Sequence, residues 1–78
     1  MQLVLSGRSD TNIRFTALQV LIRALHFAER VKGDHFIYTR NDIVEIINIQ
    51  PGNGGKAKPY QVKQIRAIIT AYGLGRDE

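Results

Sequence analysis

Along residues 15–25 the apolar positions Leu18, Leu21, Ile22 and Leu25 recur at i, i+3, i+4 and i+7, with Gln19 and Arg23 on the opposite side. That spacing predicts an amphipathic helix over Phe15–Leu25. Asn12 and Thr16 are both candidate N-caps for it. Beyond the helix the period shortens. "FAERVKG" (Phe27–Gly33) alternates charged and apolar residues, and "DHFIYTR" (Asp34–Arg40) is rich in aromatic and β-branched ones. Both read as strands, joined at glycine, and "VEIINIQ" (Val44–Gln50) reads as a third after the turn residues Asn41 and Asp42. "PGNGGKAK" (Pro51–Lys58) is a glycine-rich loop. Pro59 then suits the first turn of a second helix, whose buried stripe would be Val62, Ile65, Ile68, Ile69 and Tyr72, with Gly73 as its stop.

The predicted order is α-β-β-β-α, an α+β fold. Short turns make the three-stranded sheet antiparallel, and economical packing puts two helices on one face and leaves the other open. Residues 1–11 show no comparable pattern and read as a flexible or loosely packed N-terminal segment of a single domain spanning 1–78. At 78 residues the chain has room for one domain, and it buries only about 60% of its unfolded surface. There are no cysteines, so disulfides and thiolate metal sites are excluded and a reducing, cytoplasmic setting fits. "MQLVLSG" lacks the basic and long apolar regions of a signal peptide, and no stretch approaches a membrane span.

Charge changes the picture through its distribution. The net charge is +4, yet from Ile46 to Arg76 no acidic residue accompanies Lys56, Lys58, Lys63, Arg66 and Arg76. Such a one-signed stretch fits either a phosphate-bearing partner or a solvated basic helix face, and charge alone does not choose. "PGNGGK" is not a phosphate loop: Gln50 stands at the first glycine position and Ala57 follows Lys56. Lys56 and Lys58 still precede a helix N-terminus, where anions are favoured.

The chemistry on offer is narrow. His26 and His35 lack the spacing of a helical metal pair, and neither paired carboxylates nor a recognisable triad is present. His26 ends the first helix, where an imidazolium would complement the helix dipole. His35 differs. Alternation places it with Ile37 and Thr39 on one strand face and Phe36 and Tyr38 on the other. If the aromatic pair faces the core, His35 lies on the open face beside Lys32, and an exposed imidazole there could take a proton from a ribose 2′-hydroxyl.

"RALHFAERVKGDHFIYTR", "EIINIQP", "GGKAKPYQVKQIR" and the late "YGL" together resemble the HicA family of toxins from bacterial toxin–antitoxin modules, over roughly Asn12–Leu74. The resemblance implies a double-stranded-RNA-binding-domain-like fold, an mRNA-cleaving activity and a cognate HicB-like antitoxin that covers the active face. It also implies a single catalytic histidine within a Gly-Ser-His motif on the second strand. Gly33 and His35 match the outer positions of that motif, with Asp34 in place of the serine, and His26 stands where the family commonly has glycine. The expectation is a metal-independent and cofactor-free ribonuclease. Its catalytic residue would be His35, and Lys32, Gly33, Lys56, Lys58 and Lys63 would contact RNA. The rival expectations are a non-catalytic RNA-binding module, and a protein-binding domain that uses only the open sheet face.

Overall fold

A computed structural model of the chain describes residues 2–8 and 10–75. It resolves the pattern into α1 (Gln2–Ser6), a 3-10 turn (Asp10–Asn12), α2 (Phe15–Ala24), β1 (Ala28–Lys32), β2 (His35–Arg40), β3 (Ile43–Ile49), a second 3-10 turn (Asn53–Gly55) and α3 (Pro59–Tyr72). The strands form one antiparallel sheet in the order β1-β2-β3. The fold is therefore a small α+β arrangement, with the expected α-β-β-β-α order preceded by one short helix. Among the described residues no helix is long and apolar enough to cross a membrane.

Register decides which side chains share a face. Tyr38 lies opposite Ile47, and Phe36 opposite Ile49. Tyr38, Ile47 and Ile49 are fully buried, and Phe36 packs at the edge of the same core. Above them lie Phe15, Leu18 and Ile22 of α2 and Val62, Ile65, Ile68 and Ile69 of α3. The Phe15 and Phe36 rings meet edge to face at 5.4 Å, and Gln19 Nε2 donates to the Tyr38 hydroxyl at 3.4 Å. Both long helices thus cover the aromatic face. On the opposite face Arg30, Lys32, His35, Thr39, Ile46 and Asn48 are exposed.

Each helix ends through a left-handed residue. After α2, His26 has φ +69°, its N–H donates to Arg23 O, and Phe27 N–H reaches back to Ile22 O. This is a Schellman closure in which a histidine takes the conformation glycine adopts most cheaply. Arg40 also serves this helix end: its Nη1 donates to Leu25 O at 2.8 Å, and its Nε pairs with Asp42. At the end of α3, Gly73 (φ +62°) does the same job, as expected, and turns the buried Leu74 back so that its N–H meets Ile69 O.

Three expectations are corrected, the first at Gln19, which is buried against Tyr38 and not on the solvent side of α2. Neither Asn12 nor Thr16 caps α2; Arg14 holds the cap position with extended backbone and no side-chain bond. Tyr72 does not lie in the core but is 39% exposed, because its hydroxyl reaches across to β3, donating to Glu45 at 2.7 Å and accepting from Val44 N–H. Of the stretch 1–11, Met1 and Ser9 lie outside the described residues, and two others meet the rest of the domain. Val4 is buried in the core, and Arg66 donates to Val4 O at 3.0 Å while gripping the Asp10 carboxylate with both Nη atoms.

That grip makes stability acid-sensitive. The hydrogen bond from Arg66, helped by its charge, outweighs desolvation and holds Asp10 below the ordinary 3.8. A carboxylate lowered on folding contributes stability that is complete above its unfolded pKa and lost as pH falls through the folded one. Melting temperature measured from pH 7 down to 2 should therefore drop less steeply below about pH 4 in Asp10→Asn, from a lower start, than in the unaltered chain.

Candidate nucleic-acid site around His35

The site begins with a two-residue hairpin. Lys32 and His35 are register partners, and Gly33–Asp34 joins them. Gly33 has φ +62°, while Asp34 is on the ordinary negative side. Glycine first and an ordinary residue second is the pattern of a type II′ turn, whose twist suits a tight hairpin. An added Cβ at Gly33 would touch nothing within 4 Å, so it is the dihedral and not space that asks for glycine. The tight turn brings Lys32 beside His35 on the open face.

His35 is held from across the sheet. Its Nδ1 lies 3.1 Å from Asn48 Oδ1, on β3. Asn48 faces Ile37 in register and is thus a diagonal neighbour of His35. A carbonyl oxygen only accepts, so Nδ1 is the donor in this contact, and a neutral ring held this way would present its lone pair at Nε2. The side chain is 48% exposed. Asp34 Oδ1 lies 3.7 Å from that same Nε2 and is the residue best placed to pair with the ring once protonated.

The remaining expected contacts fall into separate places. Lys32 and Gly33 share the His35 hairpin. Lys56 pairs as a bridge with Arg14, the residue leading into α2, and Lys58 sits half-buried at the cap position of α3. β3 ends at Ile49, opposite Phe36, so this lysine loop leaves the sheet at the His35 end. Among the described residues no hydrogen bond or ion pair joins it to His35. Lys63 is exposed on α3, where its charge acts on Asp10. Of the acid-free stretch, Arg66 is consumed by Asp10, and Arg76 lies outside the described residues.

Beneath the sheet, burial and then the Glu29 carboxylate push the Tyr38 hydroxyl up to about 12. It donates to Glu29 at 2.5 Å, and Glu29 also takes Arg23 at 2.8 Å. This network lies on the helix side and does not reach His35. Among the described residues no three His, Cys, Asp or Glu side chains gather as metal ligands. Sequence reasoning missed Asn48. The available signal was an asparagine inside "EIINIQ", a residue type that strands usually avoid and that alternation assigns to the open face.

If Asn48 sets the tautomer and aim of His35, Asn48→Ala should slow any His35-dependent turnover by up to about 10²-fold, the effect of misplacing a reacting group. The loss should fall on kcat more than on KM, read by steady-state kinetics on an RNA substrate. Comparison of the chain with protein-family models, curated proteins and solved structures gives no match.

Proposed function

We propose that the chain is a cytoplasmic ribonuclease toxin of the HicA kind, with His35 as its catalytic residue. The observation that carries this reading is the His35–Asn48 contact: an exposed imidazole, register partner of Lys32, whose Nδ1 is engaged and whose Nε2 is not tied to the sheet. That is what a general base needs. Nε2 takes the proton of a ribose 2′-hydroxyl, and the 2′-oxygen bonds to phosphorus. The bond from phosphorus to the 5′-oxygen breaks, and the leaving oxygen receives the proton back from His35. Lys32 offsets the added negative charge of the phosphorane-like transition state. Two features besides the histidine support the family resemblance: Gly33 occupies a left-handed turn, and His26 adopts the positive φ that suits the family's glycine. The open face, with Ile46 exposed two residues before Asn48, offers an antitoxin partner apolar area near the site.

Incubation of the chain with RNA in excess EDTA tests the reading. Cleavage should persist, and it should vanish at a position where deoxyribose replaces ribose, since the nucleophile is then missing. Failure to cut any RNA, or cutting at the deoxyribose position, overturns it.

A second reading is favoured by Asp34. Its carboxylate faces the nitrogen that would act as base, and a negative group there repels a phosphate. On this reading the chain is an RNA- or antitoxin-binding module without turnover. The two separate cleanly: as a ribonuclease slowed by Asp34, the chain should gain cleavage rate in Asp34→Ser. A module without turnover gains none.

A further inference from the structure

Three arginines of the described chain are satisfied internally: Arg23 by Glu29, Arg40 by Asp42 and Arg66 by Asp10. Arg14 is not. It faces Lys56 directly, in an isolated antiparallel bridge between the segment leading into α2 and the glycine loop. Ala57 N–H donates to Ile13 O at 2.7 Å, flanking the pair. Arg14 and Lys56 are therefore the non-hydrogen-bonded kind of antiparallel pair, in which side chains stand closest. Like charges directly opposite each other repel. Among the described residues no carboxylate pairs with either, and the nearest of them along the chain, Asp10, is already held by Arg66.

Between them lies a cleft of about 260 Å³, lined by Asn12, Arg14, Gly54 and Lys56. The guanidinium supplies a planar fork of donors, the ammonium a point charge and the Asn12 amide a further donor. All three are exposed. A carboxylate would satisfy part of this set, but a phosphate, with oxygens on several sides, fits donors arriving from two chain segments. The cleft also lies at the His35 end of the molecule, because Phe15, next to Arg14, packs on Phe36, next to His35.

We propose that Arg14 and Lys56, with Asn12, form a phosphate-binding cleft that holds the RNA backbone away from the cleaved bond. This rests on the ribonuclease reading for the identity of the strand, though not for the anion chemistry. It adds Arg14 and Asn12 to the RNA contacts and separates Lys56 from Lys63, whose charge is directed at Asp10.

The test uses His35→Ala, which binds without cutting, and a short single-stranded oligoribonucleotide titrated over a range of salt. Adding Arg14→Gln or Lys56→Gln should each weaken binding and flatten the log–log salt slope by roughly 0.7, one phosphate contact on a single strand. Arg8→Gln, which removes the same charge elsewhere, should leave the slope in place. In parallel, inorganic phosphate added to the unaltered chain should shift the amide resonances of Gly54, Gly55 and Lys56, and Arg14→Gln should abolish the shifts. Unchanged slopes in both cleft variants, equal flattening by Arg8→Gln, or no RNA binding at all overturns the proposal. Cleavage is not read here, so an inactive wild type would fail the ribonuclease reading without deciding this one.

Discussion

His35→Ala should bind RNA with affinity close to that of the unaltered chain and cut it at least 10²–10⁴-fold more slowly, the span a positioned acid–base group supplies. The two halves of this expectation have separate causes. On the proposed reading, binding would rest on the cations, chiefly Lys32 and the Arg14–Lys56 cleft, none of which is bonded to the imidazole. Turnover, on the same reading, would depend on Nε2, and the other candidate acid–base groups lie elsewhere. The Tyr38 hydroxyl is buried on the far side of the sheet and stays protonated up to about 12. His26 sits at the opposite end of β1, beyond Ala28, where the strand pairs with Thr39 and not His35. Equal rates for His35→Ala and the unaltered chain would remove His35 from the chemistry. A folded variant that neither binds nor cuts would mean that the imidazole is a binding group.

The second large effect concerns the platform. Ile65 is 1% exposed and sits in the core beside Val62, Ile68 and Ile69. Ile65→Ala should cost about 2–5 kcal/mol, the combined loss of burial and the cavity left behind. Domains have roughly 5–15 kcal/mol in total, so chemical denaturation of this variant should begin at markedly lower denaturant. Tyr72→Ala, on the same predicted stripe, should cost clearly less, because Tyr72 is exposed and holds only its bonds with Glu45 and Val44. Equal losses at the two positions would mean that the last turn of α3 is packed as the simple stripe predicts.

The contrast shows what local pattern can carry. Helical and strand periodicity report which face is buried while an element lies over the core, and for Leu18, Ile22, Val62, Ile65 and Ile69 they did. Period two likewise put Tyr38 inward and His35 outward. The pattern fails where an element outruns the core, as at Tyr72, whose apolar ring reads as buried while its hydroxyl finds a partner on β3. It fails again where partners are far apart in sequence. Arg66 and Asp10 stand 56 residues apart, so nothing near either announces the pair that draws the N-terminal segment onto α3. The candidate site divides the same way. Gly33 and His35 are legible because a tight hairpin makes them neighbours in sequence and in space. Asn48, 13 residues from His35, becomes its partner only through the pairing register of β2 and β3. Arg14 and Lys56 needed a bridge outside the sheet to meet.

The central claim is that an imidazole on an open sheet face activates a ribose hydroxyl, and the ends of the RNA products test it most directly. Attack by the 2′-oxygen leaves a 2′,3′-cyclic phosphate on one fragment and a 5′-hydroxyl on the other, because the proton relayed through His35 ends on the 5′-oxygen. Mass spectrometry of the fragments released by the unaltered chain should find that pair and no other primary product. Fragments carrying a 5′-phosphate would mean that water, not the 2′-hydroxyl, attacks phosphorus, and would contradict the mechanism.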